Sequence, residues 1–386
     1  MIVRITAPKM LAAALVAGAA APAMGLGAAI GLQDDRMAAI PATSAATEIP
    51  KRIALAEATG TKVLRIDLFW ATAAPTRPAN AANHLDPAYD WTWADTTLCG
   101  VVNAGMQPIV STWNAPGWAT GGAKGTRGVV WNSKSPKRAK DYANFMRALA
   151  TRYNGRTDIP GQGTCLVKFY EIWNEPNLSL YFAPQYKGSR VVSSRKYVQM
   201  VNLAVPAIRK ANRRAVPIVG VTGPKGKSNK TGRGTLDWIN DLRRYGIKRG
   251  PWQYSQHIYP AVGPTSKRRV VPSWGTLPEI ARAVNRLPGG RSKKIYITEA
   301  SYTTARTTYR KVAFTTRQQR TFMRQIFRLP FVRSSRVPVV VWFQLQDNPD
   351  WPGGLLFNAG GEKPAYDMFQ KIARTNPPKG NLRPGR

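Results

Sequence analysis

The chain has 386 residues, 43% of them hydrophobic and 10% aromatic, enough apolar surface to bury one large core or two small ones, so disorder as its main state is excluded. Fifty-seven Lys and Arg against 20 Asp and Glu give a formal net charge of +37, which favours polyanions, anionic surfaces or acidic polymers as neighbours but names no reaction. Two Cys and two His are too few for a zinc finger or an iron–sulfur cluster and leave little imidazole for most catalytic triads, so no metal or cofactor is expected and carboxylate chemistry stays open.

From the amino end, Met1 to Lys9 carries Arg4 and Lys9 and no acid, and Met10 to Met24 is mostly Leu, Ala, Val and Gly, with the small-residue Ala21-Pro22-Ala23 near its end. That is the shape of a secretory signal over residues 1–23, with an uncleaved anchor reaching residue 32 as the alternative and no stable membrane span expected after cleavage. Export would place the protein outside the cell or on its wall and permit a Cys99 to Cys165 disulfide; two buried free thiols is the other reading. Beyond the signal, short runs rich in Val, Ile and aromatics alternate with longer segments of helical spacing. Strands are predicted at Ala28–Gln33, Lys62–Trp70, Gln107–Trp113, Val167–Trp173, Val216–Val221, Trp252–Tyr259, Lys294–Thr298 and Pro338–Leu345. The clearest helices fall at Pro136–Tyr153, Ser194–Asn212, Gly234–Tyr245, Leu277–Leu287, Gln318–Leu329 and Pro364–Ala373. Eight such units of about 43 residues predict an α/β chain with a single (β/α)8 TIM barrel over residues 24–374. A doubly wound sheet would need a phosphate-binding glycine turn after its first strand, and Gly31-Leu32-Gln33-Asp34 opens none. The Pro-rich stretch 375–386 reads as a disordered basic tail.

Only seven Glu occur, and three of them sit in strands or at their ends: Glu171, Glu175 and Glu299. In a parallel barrel the carboxyl ends of all strands meet at one face, so Glu175 after the fourth strand and Glu299 on the seventh should converge. Two carboxyls facing one cleft suit cleavage of a glycosidic bond, one protonated as acid and the other ionised as nucleophile or base. The competing reading makes each Glu a structural partner of the abundant Arg. Joint placement at one mouth weighs against it for Glu175 and Glu299, whereas Glu171 is expected to point into the barrel and pair with an Arg.

Trp173-Asn174-Glu175-Pro176-Asn177 resembles the acid/base motif of clan A glycoside hydrolases, and Ile297-Thr298-Glu299 resembles their nucleophile strand; the order of all eight units fits the same clan. The resemblance implies a retaining mechanism with Glu175 as acid/base, Glu299 as nucleophile and Asn174 as donor to the sugar 2-hydroxyl. It also implies a substrate-binding role for Arg65 near the nucleophile, for His257 and Tyr259 in a sixth-strand His-x-Tyr pair, with Tyr259 bonded to Glu299, and for Trp342 as the floor under the cleaved sugar. Trp-Asn-Glu-Pro-Asn and Thr-Glu resemble family 39, whereas His-x-Tyr and the compact barrel resemble family 5.

Twelve Trp is a high count, and Trp70, Trp113, Trp118, Trp131, Trp173, Trp342 and Trp351 all fall late in strands or in the loops that follow, the side where a sugar would stack. Trp113 and Trp342 are the substrate-contact candidates among them. Gly226-Lys227-Ser228 lacks the spacing of a phosphate loop, and no Gly-x-Ser-x-Gly elbow occurs. Arg317, Arg320, Arg324 and Arg328 share one face of a helix whose other face is apolar. That reads as a solvated basic side, with binding to an anionic cell-wall polymer as the alternative and no nucleic acid expected. The sequence thus predicts a secreted retaining glycoside hydrolase acting on a β-linked glycan or glycoside. A transglycosylase with the same site and a non-catalytic carbohydrate-binding barrel are the rivals.

Overall fold

The computed structural model describes residues 27–122 and 133–384. The signal over 1–23 and Trp131 lie outside the described residues. Eight parallel strands close into a ring: β1 Ala29–Gln33, β2 Val63–Phe69, β3 Gln107–Trp113, β4 Phe169–Ile172, β5 Val216–Thr222, β6 Gln253–Ile258, β7 Ile295–Ala300 and β8 Val339–Phe343. Each pairs with its sequence neighbours, and β1 completes the ring by pairing with both β8 and β2. Residues 29–32, which the anchor alternative would have placed in a membrane, are thus committed to the sheet. No helix among the described residues is long and apolar enough to cross a membrane.

A helix follows each strand: α1 Ala45–Ala58, α2 Thr92–Asn103, α3 Ala139–Arg152, α4 Ser193–Ala211, α5 Thr235–Arg244, α6 Leu277–Asn285, α7 Thr316–Ile326 and α8 Ala365–Thr375. Their apolar stripes face the ring. On α7, Met323 and Ile326 are buried while Arg317, Arg320 and Arg324 are exposed. That helix opens on a capping box in which the Thr315 hydroxyl accepts from the Gln318 amide and the Gln318 side chain accepts from the Thr315 amide. Two hairpins escaped prediction, Asn154–Ile159 with Gly163–Leu166 and the short Tyr186–Lys187 with Arg190–Val191. The first carries Cys165, which is disulfide-bonded to Cys99 of α2 with Cα atoms 5.5 Å apart.

Side chains inside the ring fall into two tiers. At the amino ends of the strands, Ala29, Val63, Ile109, Phe169, Val216, Ile218, Tyr296, Val339 and Val341 form an apolar plug. Leu382 belongs to that plug and is 2% exposed. The disordered tail expected over 375–386 is therefore corrected for residues 375–384. The segment returns under the barrel because it supplies the leucine that closes the apolar layer, worth roughly 2 kcal/mol of burial. Lys168 Nζ donates to the Arg383 carbonyl at 2.8 Å and fastens it there.

Candidate active site

The upper tier is polar. Inward positions repeat every second residue, so the parity of Val63 on β2 carries Arg65 and Asp67 inward, and that of Ile109 on β3 carries Ser111 and Trp113. Arg65 is fully buried and reaches five side chains. Its Nε donates to Glu171 Oε2 at 2.7 Å, Nη1 to Gln33 and to Glu299 Oε1 at 2.6 Å each, and Nη2 to Asn174 Oδ1 at 2.9 Å and Ser111 Oγ at 3.0 Å. Glu171 thus pairs with an Arg inside the barrel as the sequence suggested.

β4 stops at Ile172, three residues short of the predicted acid, because the backbone turns left-handed. Trp173 has φ 71° and Glu175 φ 42°, conformations that L-residues adopt at a cost of about 1–3 kcal/mol each. The strain is held in place by neighbours. The Glu175 amide donates to the Val221 carbonyl at 3.0 Å, and Asn177 clamps the loop after β5 by accepting from the Gly223 amide at 2.7 Å and donating to the carbonyls of Gly223 and Arg233. The Trp-Asn-Glu-Pro-Asn run therefore has a structural half, Trp173 and Asn177, that aims the other half, Asn174 and Glu175, into the mouth.

Glu299 arrives from β7. Tyr296 of that strand faces inward, and alternation alone would turn residue 299 outward; a register shift between β7 and β8, matched by one between β6 and β7, brings it back. Its Oε2 accepts from the Tyr259 hydroxyl at 2.7 Å. His257 Nδ1 lies 2.8 Å from Glu175 Oε1 and 3.3 Å from Glu299 Oε2. Glu175, His257 and Glu299 are all buried, with one oxygen or nitrogen of each within 4.8 Å of the others. Such a trio is compact enough for a cation, but the Arg65 guanidinium already supplies positive charge at Glu299, which opposes a metal ion there.

Burial sets the protonation. Desolvation pushes the Glu175 carboxyl up to about 8, with Arg65 opposing and Asp67 reinforcing. Burial raises Glu299 well above its ordinary value too, with Arg65 and the Tyr259 hydroxyl opposing and Glu175 and Asp67 reinforcing. Two carboxyls this close share protons as a pair. The two strong donors on Glu299, Arg65 and the Tyr259 hydroxyl, favour its ionised form and so the shared proton on Glu175. Burial, and then Arg65, hold His257 well below its usual value, so its imidazole is neutral. Tyr259 is raised by burial and by Glu299 and remains a donor.

Among the aromatic candidates, Trp113 faces the mouth. Its Nε1 donates to Asp67 at 3.1 Å, and its ring stands edge-on to Tyr181 at 5.4 Å. Trp342 does not. On β8 the inward parity belongs to Val339 and Val341, so Trp342 points to the helical shell, fully buried, with its Nε1 on the Gly353 carbonyl. The inward parity places Phe343 at the mouth instead, its ring packed near Tyr259 and Trp351 at 6.0 and 5.5 Å. Trp70 and Trp173 are likewise core residues, packed on Phe145 and on Tyr142 and Phe182. Sequence reading missed Gln33, Asp35, Tyr181 and Arg310. Gln33 donates to Asp35 at 2.9 Å and Asp67 at 3.0 Å, and Arg310 lies over the rings of Trp351 and Tyr259. Gln33 was recoverable as the last residue of the first strand; Asp35 opens a single helical turn, Asp35–Ala38, and Tyr181 and Arg310 sit on loops, none with a periodic signal.

A closed parallel barrel with one carboxyl from the turn after its fourth strand and one from its seventh has a carboxylate site at its carboxyl-end mouth. Residues 54–305 match the family described as glycosyl hydrolases family 39, and the chain belongs to that family. The choice between families 39 and 5 is thereby made. No curated protein matches the chain. Among solved structures, it is similar to a family 39 glycoside hydrolase from the gut symbiont Bacteroides cellulosilyticus WH2, with 17% identity and TM-score 0.55, over 91% of this chain and 64% of that one. It is similar to a glucosidase from Croceicoccus marinus, with 13% identity and TM-score 0.63, over 91% of this chain and 66% of that one. An endo-β-1,4-glucanase from Xanthomonas axonopodis pv. citri aligns at 14% identity and TM-score 0.54 over 90% of this chain and 99% of its own. The chain thus spans about two thirds of the length of the first two. At these identities the likeness is one of fold.

Proposed function

We propose that the protein is an exported, retaining glycoside hydrolase that cleaves a β-linked glycan or glycoside by double displacement. The observation that carries this reading is the approach of Glu175 and Glu299, within 4.8 Å, at the mouth of a family 39 barrel. Carboxyl groups about 5–5.5 Å apart suit retention, whereas inversion needs roughly 6.5–9.5 Å to admit a water. Glu175, protonated, gives its proton to the leaving oxygen while ionised Glu299 attacks the anomeric carbon. Glu175, now a base, then takes a proton from the water that releases the sugar. Arg65 and Tyr259 hold Glu299 in its attacking form, and Asn174, fixed through Oδ1 by Arg65, offers its amide to the 2-hydroxyl. His257 stands between the two carboxyls and orients Glu175. Export is supported by the apolar amino-terminal run and by the Cys99–Cys165 disulfide, which an oxidising compartment preserves.

The test is a panel of aryl β-glycosides and β-linked polysaccharides, with the first-formed anomer followed by NMR. Retention is expected, and Glu299→Gln should lower turnover by about 10³-fold or more with the fold intact. Inverted product, or near-normal hydrolysis by that variant, would remove the proposed nucleophile.

A further inference from the structure

At the opposite end of the barrel from the carboxyl pair, the last turns of α4 and the segment leading into β6 enclose a groove of about 640 Å³. Arg209, Lys210, Arg213, Lys248 and Arg249 line it over a floor of Val201, Val205, Pro206 and Trp252, and none of its twelve lining residues is acidic. Helix-end chemistry accounts for part of this: Arg209 lies in the last turn of α4 and donates to the Ala215 carbonyl at 2.7 Å. Lys210 shares that last turn, but Arg213, Lys248 and Arg249 lie outside it, and all four are exposed with no ion-pair partner among the described residues. Like charges gathered without acids repel one another, and a polyanion relieves that cost.

We propose that this groove is a second, non-catalytic binding site for a linear anionic polysaccharide. Its concavity favours one narrow chain over a flat bilayer. Single-stranded nucleic acid would call for open aromatic platforms. Trp252, the aromatic of the floor, is buried, and Lys293 Nζ stands 4.4 Å from its ring centroid, so no base can stack on it. The exposed cations instead match the regularly spaced acidic groups of a charged sugar chain, which needs no aromatic platform. The site holds substrate-bearing polymer or wall material independently of the catalytic mouth.

The test compares binding of a fluorescent heparin oligosaccharide, a polygalacturonate oligosaccharide and an oligo-dT of equal charge over a salt series. The proteins are the wild type and two reversal variants of equal charge change: Lys210→Glu/Arg213→Glu/Lys248→Glu/Arg249→Glu in the groove, and Arg317→Glu/Arg320→Glu/Arg324→Glu/Arg328→Glu on and just after α7. The groove variant should lose affinity for at least one of the two polysaccharides by at least about tenfold with a shallower salt dependence, while the α7 variant loses about twofold. Both should keep wild-type turnover of a small aryl glycoside. If a fourfold variant fails to fold, the pairs Lys248→Glu/Arg249→Glu and Arg324→Glu/Arg328→Glu replace them. Equal losses in groove and α7 variants would reduce the effect to bulk charge, and oligo-dT binding that depends on the groove as strongly as either polysaccharide would reassign it; either overturns the proposal.

Discussion

Arg65 is the residue on which the mouth depends. Its guanidinium joins Gln33, Ser111, Glu171, Asn174 and Glu299, side chains from different strands and loops, and it is their buried cation. Arg65→Met would leave Glu171 and Glu299 buried without it, and denaturant unfolding at neutral pH should register a loss of about 3–5 kcal/mol. Glu175 makes a pH prediction with a defined sign. Its carboxyl titrates near 8 when folded, above its ordinary 4.5, so the folded state holds the proton where the unfolded chain gives it up. The associated stability is fully present below about 4.5 and is lost as pH rises toward 8. Turnover should fall on the alkaline side of about 8, and Glu175→Gln should gain melting temperature over the wild type at pH 9 but not at pH 4. An unchanged difference between those two pH values would count against the assigned protonation. Gly223 offers a finer probe, since a Cβ there would lie 2.9 Å from Glu175 Cδ and 2.7 Å from Leu178. Gly223→Ala should lower kcat through Glu175 while leaving far-UV dichroism unaltered.

Among the elements, strand order and helix order were legible because burial imposes Val- and Ile-rich runs on strands and a one-sided stripe on helices. β3 matches its predicted range, Gln107–Trp113, and the other seven strands differ by one to three residues at their ends. The places where alternation breaks were not legible. Trp342 was assigned to the wrong side because nothing in Val339–Phe343, apolar at all five positions, reveals which parity faces inward. Glu299 faces the mouth only through a register shift, which composition does not encode, and its partner Tyr259 lies just beyond the last paired residue of β6. The Cys99–Cys165 bond ties α2 to the hairpin ahead of β4, closing a loop of 66 residues. Replacing both with Ala should cost about 2–5 kcal/mol in thermal or denaturant unfolding, with aryl-glycoside turnover retained in the folded protein.

For the whole molecule, the two interior tiers divide the work. The apolar tier at the amino ends, sealed by Leu382, holds the ring together, and the polar tier above it carries the chemistry. Leu382→Ala should destabilise the barrel by about 2–5 kcal/mol while kcat for a small glycoside holds steady at temperatures well below unfolding. An active site of this kind stands on a foundation it does not touch. Volume-conserving exchanges among Val63, Ile109, Val216 and Val339 can therefore retune heat tolerance with the carboxyl pair untouched. The same freedom is denied two residues further along β2 and β3, at Arg65 and Ser111, where stability and reactivity are written in the same side chains.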